Sequence, residues 1–189
     1  MKLRETPLSG AFVIEAERQD DSRGYFARTF CQRELGAAGL FDRIAQSNVS
    51  FNTNAGTLRG LHFQADPYAE QKIVSCARGA IFDVVVDLRL GSPTFGRYFA
   101  QELTPDNLLA LYVPKGFAHG FQTLVAESTV AYQMSEFYRP EGAAGIRWND
   151  PDIGISWPIA QRTMSDRDAG LPSLSEWLRL QPRAPGANP

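Results

Sequence analysis

Reactive and ligating side chains are scarce in this chain: 189 residues carry two cysteines and two histidines. Cys31 and Cys76 stand far apart with no CxxC spacing, which excludes a disulfide framework and a zinc cluster and points to a reduced, cytosolic setting. Long hydrophobic runs are missing too. No apolar stretch approaches the length of a membrane span, and Met1 to Gly10 holds Lys2, Arg4 and Glu5 where a secretory signal would place an apolar core. An excess of basic charge is absent: the formal net charge is -2, so a general affinity for nucleic acid, which needs a basic surface, is not expected. Individual arginines are still free to hold a single diphosphate. Repeats and internal linkers rich in Pro, Gly or Ser are lacking, so residues 1–180 read as one domain. The tail 181–189 (QPRAPGANP), polar and with three prolines, reads as disordered.

What remains is an ordinary globular composition, 43% hydrophobic and 21% charged, in a chain long enough to hide roughly 70% of its unfolded surface. Short β-branched or aromatic runs recur at about ten-residue spacing, with Gly, Pro and Asn between them, which predicts an all-β sandwich or barrel. The runs are 10–17 (GAFVIEAE), 71–77 (QKIVSCA), 80–88 (AIFDVVVDL), 96–103 (GRYFAQEL), 109–113, 118–125 and 128–136. The run 80–88 is apolar enough to be buried on both faces. Segments 32–40 and 173–180 are predicted to be short peripheral helices. Barrels of this kind hold ligands in the mouth or interior.

The segment 56–64 (GTLRGLHFQ) carries the sharpest chemical signal. Strict alternation would put Leu58, Gly60 and His62 on one face of a strand and Arg59 and Leu61 on the other. A histidine held by a strand is either a hydrogen-bonded structural residue or a group aimed at a substrate for proton transfer. His119 lies in PKGFAHGF, a turn that leads into an apolar strand. Lys72 opens a hydrophobic run; it either snorkels to solvent or supplies a fixed positive charge to an oxyanion. Tyr132 sits mid-strand as a core residue or an acid. Asp166 and Asp168 read as turn carboxylates, unless one reaches a histidine and fixes its tautomer. Arg23 and Arg59 have the forked geometry that grips phosphate.

In order along the chain, the blocks DSRGYF, QSNVS, TLRGLHFQ, EQKIV, GAIFDVVVDLR with SPTFG, PKGFAHGFQTL, Tyr132 with Tyr138-Arg139-Pro140, RWNDPDIGISWP and SDRD are similar to those of the dTDP-4-dehydrorhamnose 3,5-epimerase family, cupin-type sugar-nucleotide epimerases. The resemblance runs from about Phe12 to Pro172. It implies a cupin-like double-stranded β-helix (jelly roll) barrel with a few short peripheral helices. It also implies an isomerase that needs no cofactor and no metal and acts on a nucleotide-diphosphate 4-keto-6-deoxyhexose. In that reading His62, held by Asp168, removes a proton beside the C4 ketone, Lys72 stabilises the enolate, and Tyr132 returns a proton from the opposite face. Arg23 and Arg59 match diphosphate or nucleotide contacts, and Arg167 a substrate-binding position; Phe26 and Tyr138 match aromatic positions near the nucleotide. Gln46 and Asn48 match a polar pair near the ligand, and His119, oriented by Asp83, a substrate contact. A cytoplasmic homodimer whose N-terminal segment contributes to the partner's site is implied as well, with a role in rhamnose and polysaccharide biosynthesis.

Three departures from the family pattern stand out. Arg28 occupies a position where Glu is common, so an acceptor for base or sugar hydroxyls becomes a donor. Arg167 replaces the usual Lys, and the loop between Gln46 and Arg59 is one residue longer. Mono-epimerases keep the same His–Asp pair, so the number of inverted carbons stays open. Two other readings compete. A metal-dependent cupin would explain the block ending in His119, yet it needs a His-x-His pair and a Glu where this chain has His62-Phe63-Gln64. A non-catalytic sugar-nucleotide binder would keep the arginines and aromatics but has no use for a base, an orienting Asp and an opposed Tyr together.

Overall fold

The structure is a computed structural model that describes residues 1–41 and 43–181; the remainder of the tail expected to be disordered lies outside the described residues. The first strands are β1 (Lys2–Glu5), β2 (Phe12–Glu15), β3 (Arg18–Asp21) and β4 (Gly24–Ala27), followed by helix α1 (Gln32–Ala37). The central series is β5 (Gln46–Asn52), β6 (Leu58–Gln64), β7 (Lys72–Arg78), β8 (Ile81–Asp87), β9 (Tyr98–Leu103), β10 (Leu109–Val113), β11 (Phe117–Thr123) and β12 (Ser128–Met134). A short β13 (Ala143–Gly145) and helices α2 (Asp166–Ala169) and α3 (Leu174–Leu180) close the described chain.

Two antiparallel sheets face each other, in the orders β1-β2-β10-β7-β12-β5 and β13-β6-β11-β8-β9, and β3 pairs with β4 as a separate ribbon. From β5 to β8 and again from β9 to β13 the chain alternates between the two sheets, with β8 and β9 paired as neighbours in one of them, which is the cupin-type jelly roll. Period-2 patterning explains the core. Val74, Cys76, Leu111 and Val130 of one sheet meet Ile81, Val85 and Phe121 of the other. Each such side chain contributes about 2 kcal/mol on burial. The intervening residues point outward. Val84 and Val86 pack under Ile146, Ile153, Trp157 and Leu174 of the C-terminal segment. Ile73, Ala110 and Tyr112 pack under Leu35 and Phe41 of the α1 region. Strand β8 is therefore covered on both sides, as its apolar run predicts.

Both helices foreseen from the sequence form, in shortened versions. Ser173 caps α3 through a reciprocal capping box with Glu176, which defines where that helix starts. Strands β1, β3, β4, β5 and β13 and the single turn α2 carry no comparable apolar run and were not foreseen. The alternation expected in β6 fails at Gly60. Leu58 and Leu61 share the outer cluster, while Arg59 and His62 both line the interior. The pairing of β6 with β11 shifts there, between His119 and Phe121. Such a bulge reverses the facing of every residue beyond it. Gly60 has φ +116°, and a Cβ on it would lie 2.7 Å from the Gly120 Cα and 2.8 Å from the His119 carbonyl oxygen. Only glycine fits this close approach.

Candidate active site

One cavity of about 360 Å³ opens between the sheets. His62 and Arg59 on β6 and His119 on β11 enter it from the five-stranded sheet. Lys72 on β7 and Tyr132 and Met134 on β12 enter from the six-stranded sheet. Tyr132 also packs against the cluster that fills the space between the sheets, consistent with its inward aim. Glu70, Tyr138, Arg167 and Asp168 also line it. The sequence-expected His62, Lys72, Tyr132 and Asp168 thus meet at one place, together with Arg59, His119, Tyr138 and Arg167.

Asp168 reaches His62 across 106 residues of sequence because the C-terminal segment docks beside β6. Leu58 N–H donates to the Thr163 carbonyl at 2.8 Å, and Thr163 N–H donates to that of Gly56 at 3.1 Å. Ser165 then caps α2, its hydroxyl accepting from Asp168 N–H at 3.1 Å. His62 Nε2 donates to Asp168 Oδ1 at 2.7 Å, and Asp168 Oδ2 accepts from Gly60 N–H at 3.3 Å. Burial of Asp168 favours its neutral form, but the hydrogen bond and charge of His62 and the Gly60 N–H outweigh it and hold the carboxyl below its ordinary range. An ionised Asp168 only accepts, so Nε2 carries the hydrogen and Nδ1 keeps the lone pair. That tautomer is suited to take a proton from carbon.

A second His–Asp pair lies alongside. His119 and Asp83 share a hydrogen bond of 2.8 Å, and Asp83 is fully buried with Oδ2 unpartnered. Burial pushes the Asp83 carboxyl up, against the opposing pull of His119 and Lys72. In the β6–β11 register His119 sits opposite His62. Lys72 does not snorkel outward. It is buried and paired with Glu70 at 2.7 Å.

The other sequence-expected contacts lie outside this cavity. Arg23 is 88% exposed on the β3–β4 ribbon and pairs with its own Asp21 at 2.6 Å. Phe26, on the same ribbon, is 60% exposed. Asn48 Nδ2 meets Met134 Sδ at 3.6 Å, and Gln46 Oε1 accepts from the Tyr138 N–H. Gln46 thus holds the backbone of the loop that carries Tyr138. Arg28 pairs with Glu34, which also takes the N-terminal ammonium. Strand β1 pairs with β2 of its own chain.

Three contributors escaped the sequence reading. Glu70 is the buried partner of Lys72. Asn52 is buried, and its Oδ1 accepts from Arg59 Nε at 2.8 Å, aiming the guanidinium. Ser165 carried a readable signal, since Ser-x-x-Asp is a helix-start pattern. For Glu70 the clue was a carboxylate two residues from an unusual strand lysine. No cluster of three or more His, Cys, Asp or Glu able to hold a metal ion occurs among the described residues.

Residues 5–176 match the family model described as dTDP-4-dehydrorhamnose 3,5-epimerase. The dTDP-4-dehydrorhamnose 3,5-epimerase of Methanothermobacter thermautotrophicus is 46% identical over 175 residues, 91% of this chain and 94% of that one. A crystal structure of dTDP-6-deoxy-D-glucose-3,5-epimerase RmlC from Legionella pneumophila, in complex with dTDP-4-keto-L-rhamnose, superposes with a TM-score of 0.89 at 38% identity, covering 97% of this chain and 98% of that one. ChmJ, a 3'-monoepimerase from Streptomyces bikiniensis in complex with dTDP-quinovose, superposes with a TM-score of 0.87 at 35% identity, covering 94% and 90%.

Proposed function

The chain belongs to the dTDP-4-dehydrorhamnose 3,5-epimerase family, and we propose that it inverts C3 and C5 of a dTDP-linked 4-keto-6-deoxyhexose by proton exchange beside the C4 ketone. The carrying observation is the opposition of two proton-transfer groups. His62, tied to Asp168, enters the cavity from one sheet and Tyr132 from the other. Inversion at carbon needs a base on one face and an acid on the opposite one.

His62 Nδ1 takes the proton from C3 or C5, and Asp168 stabilises the imidazolium that forms. The electron pair moves to the C4 oxygen, where Lys72 supplies positive charge. Tyr132 protonates the enolate carbon from the other side, and solvent resets both groups. Arg59 and Arg167 hold the diphosphate, and Tyr138 lies against the nucleotide. His119, oriented by Asp83, contacts the sugar. The exposed ribbon with Arg23 and Phe26 reaches the site of a second copy in a cytoplasmic homodimer, and Gln46 and Asn48 line the approach. Residues 1–180 act as one domain.

The test is incubation with dTDP-4-keto-6-deoxyglucose in deuterium oxide, followed by NMR. Deuterium at both C3 and C5 of an L-configured product is expected. No enzyme-dependent deuterium uptake would overturn the reading. Similarity to the 3'-monoepimerase ChmJ supports a second reading, in which label enters at C3 alone.

A further inference from the structure

Glu70 is a charged side chain buried at the cavity wall without a role in the proton transfers above. Its side chain is 3% exposed, and its Oε1 lies 2.7 Å from Lys72 Nζ, itself on a side chain 11% exposed. The other oxygen is also engaged: Oε2 accepts from the Gln64 N–H at 3.0 Å. Gln64 follows His62 by two residues on β6. One carboxylate thus ties the head of Lys72 to the strand that carries His62. Lys72 Nζ in turn reaches toward the His62 carbonyl at 3.5 Å.

An ammonium buried without a counter-charge gives up its proton more readily, and a neutral amine offers little to a developing enolate. The surroundings of Lys72 supply few alternatives. Facing the cavity with it are Arg59 and His62 from β6, His119 from β11 with Asp83 of β8 behind it, and Tyr132 from β12. Tyr138, and Arg167 and Asp168 from α2, complete the titratable set. Asp168 is committed to His62, and Asp83 binds His119 while burial pushes it toward its neutral form. Among the described residues, Glu70 is the carboxylate in salt-bridge contact with Lys72.

We propose that Glu70 is a positioning residue that keeps Lys72 charged and aimed at the C4 oxygen. This inference rests on the proposed proton exchange in the cavity. Glu70→Gln keeps an acceptor for the Gln64 N–H and removes the charge, so it separates electrostatics from architecture. In this variant, C3 deuterium exchange is expected to fall by about 10-fold or more at pH 8, with the alkaline limb of the kcat/KM profile displaced to lower pH by about one unit. KM is expected to change far less than kcat. Glu70→Asp, which retains the charge, restores the limb. In a Lys72→Ala background Glu70→Gln adds no further loss, because it acts through the missing amine. A readout independent of turnover is the pH titration of the Lys72 ¹³Cε resonance, whose midpoint falls in Glu70→Gln. A wild-type rate profile together with an unmoved midpoint overturns the inference. Absence of exchange in the unaltered protein overturns the proposed function instead, and the resonance titration still decides the role of Glu70.

Discussion

With Asp168 ionised and 2.7 Å from Nε2, His62 has one tautomer and one available lone pair. Because the folded Asp168 carboxyl lies below its ordinary value of 3.8, the stability that its ionisation contributes is present above that pH. It is lost only as pH falls through the lowered value, so Asp168 stays ionised through the neutral range. Asp168→Asn removes the charge and allows the wrong tautomer at nearly constant shape. We expect kcat to fall about 100-fold or more, with little change in nucleotide affinity. Steady-state kinetics and titration with dTDP measure the two quantities separately. A variant within twofold of wild-type kcat would remove Asp168 from the mechanism. His62→Ala is expected to abolish exchange while the circular dichroism spectrum is preserved, since the ring lies at a cavity wall rather than in the packed clusters.

Among the elements, β6 contributes most to the site and departs furthest from simple patterning. Its bulge at Gly60 turns Arg59 and His62 to the same face. Gly60→Ala forces a Cβ against the backbone of Gly120 at a φ that alanine resists, at a cost of about 3 kcal/mol. Thermal unfolding should show a lowered Tm, and the fraction that folds should exchange deuterium poorly because His62 is displaced. An unchanged Tm with full activity would contradict this account of the strand. The long central strands β7 to β12 were legible because burial on one or both faces leaves a periodic apolar trace. The edge elements β1, β3, β4 and β5 lack that trace: β3 and nearly all of β4 are exposed, and β5 shows outward Val49 and Phe51. The bulge was invisible because two glycines in separate strands create it jointly. That His62, Lys72, Tyr132 and Asp168 converge on one cavity was legible through ordered motifs. Their supporting residues Glu70 and Asn52 were not, since a buried polar side chain looks in sequence like a solvated one until its partner is known.

At the scale of the whole molecule, the two sheets of a jelly roll put His62 and Tyr132 on different walls of one cavity, as the proposed two-faced proton exchange requires. Groups from the five-stranded and six-stranded sheets meet across a closed core, so their opposition is built into the architecture. The proposed dimer would extend this logic to a pair of chains, since the β3–β4 ribbon leaves Arg23 and Phe26 exposed and outside the cavity of their own chain. If that ribbon serves a second copy, inactive His62→Ala and Arg23→Ala chains should complement when mixed and exchanged. Random pairing makes half the dimers mixed with one sound site each, so activity recovers to about a quarter of wild type. Recovery of nothing would confine Arg23 to another role. The central claim, that His62 and Tyr132 act on one carbon from opposite sides, is tested most directly with Tyr132→Phe in deuterium oxide. NMR of the recovered sugar nucleotide should reveal deuterium at C3 with the starting configuration retained, because the base works and the opposed acid is gone. Inverted product formed at the wild-type rate would contradict the claim.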